Sequence, residues 1–264
     1  MTSIPIHKSD AFTRLELVVV IAVVFVTLWM VVSTANRGNR DPSRTSCVHH
    51  LKQIGLAYAI WANDHNGRFP ASESMANGGW MDALTNFDQG SLCWTNYEIM
   101  ANELGMGAKL LECPSDERKA AAVLQGRPPM EDKGTNVGFT DNRALSYFVG
   151  VSADQKHPQS LLAGDRNLGR GIQPDHDYGF SPRSDAGNDV VIQTNSKADP
   201  VCWSLKMHSQ GNPQGRGNIL LSDGSAQAIT TPGFGKNWQP LAGQTTNWPV
   251  GHIPSSPSFR LLFP

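Results

Sequence analysis

The residues of this 264-residue chain that could do chemistry are its 8 histidines, its 4 cysteines and a scatter of Asp and Asn side chains. Cys113, in the phrase "LECPSD", and His208, in "MHSQG", supply a thiol and an imidazole, the pair from which an activated nucleophile and its base are built. No nucleophile sits in a recognisable strained turn, and neither a phosphate-binding glycine loop nor an H-E-x-x-H helix occurs. Enzymatic turnover is therefore not expected. His49 and His50 are adjacent, so on a helix they point about 100° apart and make poor partners for one metal. The cysteines, Cys47, Cys93, Cys113 and Cys202, contain no C-x-x-C pair, which argues against a zinc ribbon. Three full disulfide pairings, or four buried thiols, remain open on the residues alone. Asp165 and Asn167 in "GDRN", Asp175 and Asp177 in "PDHDYG", and Asp223 are the oxygen donors that Ca²⁺ takes. The same residue types form turns through local hydrogen bonds, which is the reading adopted, and no metal ligand or cofactor is assigned.

These groups need elements to position them. The run from Leu17 to Ala35 carries no charge and, at about 1.5 Å per helical residue, spans roughly 28 Å, the thickness of a bilayer core. Arg14 and Glu16 stand at its entrance. A carboxylate at the edge of such a run is costly if unpaired, so it marks function. Further on, Cys47, Leu51, Ile54, Tyr58 and Trp61 recur at spacings of four and three, one stripe of an amphipathic helix that "NDHNGRFP" ends. Pro42 predicts a break between the two helical segments. "GNILLSDGSAQAIT" reads as a hairpin with a two-residue turn at Asp223-Gly224, facing Leu221 with Ala226 and Ile219 with Ala228. "ALSYFVGVS" alternates, and "SLLAG" and "VCWSL" are short apolar runs. The stretch 165–200 reads as a long ordered loop, and the tail from Pro232 as extended chain with no period. Gly at 25 and Pro at 17 fit a loop-rich body. A formal net charge of −1 with scattered Lys and Arg gives no basic footprint for nucleic acid.

The leader Met1–Ala11, followed by Phe12-Thr13-Arg14-Leu15-Glu16-Leu17, resembles the prepilin signal of type IV pilins and of the pseudopilins of type II secretion systems. The phrases "LKQIGLAYAIWANDHNGRFP", "LECPSD" and "MHSQGNPQGRGNILLSDGS" are similar to those of a group of prepilin-type proteins, so the resemblance extends over most of the chain. It departs from the family where Ala11 replaces the usual Gly, where Arg14 puts a cation in place of an apolar residue, and where "NPQGR" stretches the closing phrase. The resemblance implies cleavage by a prepilin peptidase between Ala11 and Phe12 and N-methylation of Phe12. It also implies a pairing of Glu16 with the amino terminus of a neighbouring subunit. Because Cys47 and Cys113 lie in family-like phrases, it favours that pair, leaving Cys93 with Cys202. Major pseudopilins often hold Ca²⁺ near their C-terminal strands, so the resemblance makes the Asp and Asn residues above the calcium candidates.

The expected fold is α+β and pilin-like: a long N-terminal helix, transmembrane half plus amphipathic half, packed on a small antiparallel sheet with loop-rich insertions. The expected organisation is a prepilin leader at 1–11, a transmembrane half-helix at 12–36, a linker and amphipathic half at 37–68, and an extracytoplasmic head with an irregular tail at 69–264. The implied function is that of a structural subunit of a type II secretion pseudopilus or type IV pilus-like filament. Its partners would be prepilin peptidase, other pilin or pseudopilin subunits and the inner membrane, with the head periplasmic. The alternative is a solitary anchored binding domain for a glycan or protein, with Trp80, Trp94, Trp203, Trp238 and Trp248 stacking on sugars.

Overall fold

A computed structural model describes residues 14–35, 42–84, 90–105, 107–121, 124, 141–170, 187–193, 201–209, 214–236 and 258–264. The chain divides into two compact units, Met1–Arg40 and Asp41–Pro264. Helix α1, Arg14–Ala35, belongs to the first. Helix α2, Pro42–Asp64, opens the second, with proline in the first turn where its missing N–H is harmless. In the second unit follow a short helix α3, Thr95–Ile99, strands β1, Tyr147–Gly150, β2, Leu161–Asp165, β3, Leu168–Arg170, and β4, Asn188–Gln193. Then come β5, Val201–Trp203, β6, Arg216–Leu221, β7, Ala226–Thr230, helix α4, Thr231–Lys236, and β8, Ser258–Phe263.

This corrects the expected architecture. In place of one long apolar N-terminal helix there are two helices in separate units, and none of the described helices is long and apolar enough to cross a membrane. A single-pass inner-membrane anchor is therefore not supported. The sheet, too, is larger than expected. Six antiparallel strands run in the order β4-β8-β1-β2-β6-β7, and β3 with β5 forms a second, two-stranded sheet. Strands β3 and β4 lie inside the stretch taken for loop, and β8 comes from the tail taken for extended wrapping. It pairs with β1 on one side and β4 on the other.

Both faces of the larger sheet are covered. The stripe Cys47, Leu51, Ile54, Tyr58 and Trp61 of α2 packs in one buried cluster with Tyr147, Val149, Ala163, Leu220 and Leu262. On the other face Phe148, Leu161, Ile219, Leu261 and Phe263 cluster with Leu168 of β3 and with Val201 and Trp203 of β5. Strands buried on both faces lose the in-out alternation of a half-exposed strand, and every residue of β1 and β2 is buried. Gly55 allows α2 to approach the β6–β7 hairpin: a Cβ there would lie 2.9 Å from Leu220 Cδ1 and 3.3 Å from Gly224 Cα.

The hairpin register also differs from the expectation. Leu220 opposes Ala226 and Ile219 opposes Gln227. The turn runs from Leu221 to Gly224, closed by Gly224 N–H donating to Leu221 O at 2.9 Å. Gly224 takes φ +80°, and Asp223 Oδ1 accepts from Ser225 N–H at 2.8 Å. A tight turn followed by a left-handed glycine is the three-residue hairpin geometry, which displaces the pairing by one residue from a two-residue turn.

Candidate functional site

Two features stand out as candidate sites. The first is helix α1. Leu17, Val18, Val19 and Val20 are consecutive, so at 100° per residue they occupy all sides of the helix, and all four are exposed. Ile21 at 47 % and Phe25 at 69 % continue the same surface. Glu16 lies in the first turn. Ala11 and Phe12, the residues of the expected cleavage, lie outside the described residues.

The second feature is a buried polar node where α2 meets the sheet. Cys47, one turn into α2, and Cys113, just beyond the 3-10 turn Ala108–Leu111, form a disulfide with Cα atoms 5.4 Å apart. Cys93 and Cys202 do not make the second bridge and remain buried thiols. Burial pushes both of these thiols up, Cys202 to about 11. Against the bridge lies the fully buried His208, its Nε2 3.1 Å from Cys113 Sγ and 3.6 Å from Asp165 Oδ2. Asp165 ends β2, and its Oδ2 accepts from the main-chain N–H of Asn218 at 2.7 Å and from Asn218 Nδ2 at 2.9 Å. Burial pushes the Asp165 carboxyl up to about 7, against the pull of those two donors.

The turn that presents His208 is held in an uncommon shape. Met207 has φ +51° although it carries a side chain. Such a conformation costs on the order of 1 kcal/mol or more and persists only where its surroundings enforce it. Here Ser209 does so, its Oγ donating to Arg216 O and accepting from Arg216 N–H, both at 2.7 Å. Arg216 Nε also donates to the main-chain oxygen of His208.

Around the node sit two buried guanidinium systems. Arg166 grips Asp116 through Nε at 2.8 Å and Nη2 at 2.7 Å, and Nη2 also reaches Glu117 at 3.1 Å. Burial pushes the Asp116 carboxyl up, but the hydrogen bond and charge of Arg166 outweigh it and hold the group below its usual range. Arg118 donates to the main-chain oxygens of Asn142, Leu145 and Pro264. Burial and the neighbouring charge of Arg166 lower its pKa to about 10.

The structure thus gathers phrases that lie far apart in the chain. "LECPSD" gives Cys113 and Asp116, "GDRN" gives Asp165 and Arg166, and the closing phrase gives His208 and Asn218. The thiol and imidazole singled out from the sequence do meet, but the thiol is consumed in a disulfide. Among the described residues the other histidines do not join them: His50 Nδ1 lies 2.9 Å from Glu112 O, and His157 pairs with Asp154 at 2.8 Å. The calcium donors are dispersed as well. Asp165 and Asn167 are buried, Asn167 Nδ2 donates to three main-chain oxygens, and Asp223 serves its own turn. Asp175 and Asp177 lie outside the described residues. Trp80 and Trp203 are buried and present no face for a sugar, while Trp238 and Trp248 lie outside the described residues. The role of Asn218 escaped the sequence reading, although its place between two glycine-marked turns was visible. No protein-family model matches the chain, no curated protein matches it, and no solved structure matches it.

Proposed function

We propose that the chain is a prepilin-like structural subunit of a type II secretion pseudopilus or type IV pilus-like filament, cut between Ala11 and Phe12 and assembled through α1. The observation that supports this reading is the exposed apolar surface on every side of α1. A helix that is apolar all round is stable in company only when it is buried. Neighbouring copies of α1, or of related subunits, bury that surface. Glu16, in the first turn, sets the axial register by meeting the new amino terminus of the next subunit, a charged pair worth most where water is excluded. The work is assembly, with no turnover, and prepilin peptidase is the processing partner.

Peptide mass spectrometry on protein from its native cells tests the reading. It expects a chain beginning at Phe12 with a methylated amine, and loss of filament assembly in Glu16→Ala with the protein still processed. A chain that begins at Met1 and remains monomeric overturns it.

A further inference from the structure

We propose that the buried node is a redox-gated Zn²⁺ site: in the reduced chain Cys47, Cys113, His208 and Asp165 hold the metal, and the disulfide is its metal-free alternative. This inference is independent of the filament reading.

The donor set comes first. The sulfurs of Cys47 and Cys113 and the ligating nitrogen of His208 all lie within 4.8 Å of one another, and all three residues are buried. Two thiolates and an imidazole are the ligands that tetrahedral zinc prefers, with Zn–S of about 2.3 Å and Zn–N of about 2.0–2.1 Å. Those bond lengths imply tetrahedral edges of about 3.6 Å between sulfur and nitrogen and about 3.4 Å between nitrogen and carboxylate oxygen. The distance from Cys113 Sγ to His208 Nε2, 3.1 Å, lies within half an ångström of the first of those edges, and the Asp165 carboxylate lies beside the same nitrogen, its Oδ2 at 3.6 Å. To close the shell the two sulfurs must part and Asp165, which stands outside the group of three, must move in.

Asp165, whose Oδ2 lies 3.6 Å from His208 Nε2, is the group that would complete the shell by moving toward the sulfurs. Among the described residues no hydrogen-bond donor reaches Asp165 Oδ1, although the atom is buried. An oxygen left so in a dry site costs free energy unless something else takes its lone pairs. Its companion Oδ2 is held by both donors of Asn218, the kind of outer support that orients a ligating carboxylate. The four ligands come from four separate elements, α2, the segment after Leu111, the end of β2 and the turn before β6, so the metal would join what the disulfide joins only in part.

The exchange balances. A dithiol reductant supplies two electrons and two protons, converting the bridge to two thiols and itself becoming a disulfide. Zn²⁺ then displaces both thiol protons and binds the thiolates. An oxidant of the disulfide class reverses the first step and releases the metal.

The test uses the full chain, reduced with a phosphine under anaerobic conditions and titrated with Co²⁺ and then Zn²⁺. The expected result is one equivalent of Co²⁺ bound with a sulfur-to-cobalt charge-transfer band and tetrahedral d–d bands, both lost on adding Zn²⁺, and no band in the oxidised chain. Cys93→Ala with Cys202→Ala keeps the signal, His208→Ala loses the d–d pattern, and His208→Cys, which retains a ligand, restores it with stronger charge transfer. Asn218→Ala weakens binding about 10- to 100-fold. Absence of a charge-transfer band in the reduced wild-type chain overturns the proposal, as do unchanged d–d bands in His208→Ala or a charge-transfer band in the oxidised chain. Should His208→Ala fail to fold by near-ultraviolet circular dichroism, the wild-type titration and His208→Cys decide.

Discussion

At the scale of single residues, the Asp116–Arg166 pair shows what the sequence hides. Asp116 was visible in "LECPSD" and Arg166 in "GDRN", but they are 50 residues apart and each phrase alone reads as a polar turn. Their burial follows from the sheet, which brings the end of β2 against the segment after Cys113. Taking a charge from a buried pair leaves the other uncompensated, at a cost of about 3–5 kcal/mol. Asp116→Ala, which takes the two-point carboxylate from the buried Arg166, is expected to lose stability of that order in urea denaturation at pH 7. The pH dependence has a definite sign. A carboxyl held below its usual range in the folded chain adds stability above the unfolded value of about 4, and that stability is lost as pH falls through the folded value. The wild-type chain should therefore weaken as pH falls below the unfolded carboxylate value of about 4, and Asp116→Asn should flatten that part of the curve. An acid limb of equal slope in the variant would assign the loss to other carboxylates.

Among the elements, α2 was the most legible because one helical period places its five stripe residues on the sheet, and all five are buried. Strand β1 was legible as a strand but not in its surroundings, since alternation along "LSYFVGV" suggests one wet face and β3 with β5 covers it. Strand β8 was missed because Arg260 interrupts its apolar run. In the fold Arg260 is buried, with Nε donating to Asp189 Oδ1 of β4 at 2.8 Å and Nη1 to Leu84 O at 2.9 Å. A strand can carry a buried arginine only when its partners arrive from elsewhere, and local pattern cannot announce them. The closing phrase contains a sharper test of element packing. Gly217 lies under the indole of Trp203, and a Cβ there would meet the ring at 2.5 Å. The ring is wedged between the two sheets and cannot swing away as a flexible side-chain tip would. Gly217→Ala should cost about 1–3 kcal/mol, in the range of overpacked cores, and should change the tryptophan near-ultraviolet signal. A neutral substitution would mean that Trp203 has room the structure does not show.

For the whole molecule the question is what covers α1. The sequence made the apolar character of α1 plain and misled about its setting, because length and hydropathy alone equate such a run with a bilayer span. The filament reading gives the helix a protein environment, and that environment has a measurable signature. In a helix apolar on every side, a charge on any face must be desolvated when neighbouring copies close around it, and an unpaired buried charge costs several kcal/mol. Val20→Asp and Phe25→Asp place carboxylates on different faces, five residues and thus about 140° apart. Each is expected to shift the full-length chain from large assemblies toward the monomer in sedimentation velocity. Neither replaces a member of the two clusters that hold the Asp41–Pro264 unit together, so the thermal unfolding of that unit should stay within about 1 °C of the wild type, the change expected of substitutions away from a core. If only one face proves sensitive, α1 packs along a single seam as in a dimer. If both do, it is surrounded, as a filament interior requires. Unchanged sedimentation for both variants would remove α1 from assembly altogether and take the filament reading with it.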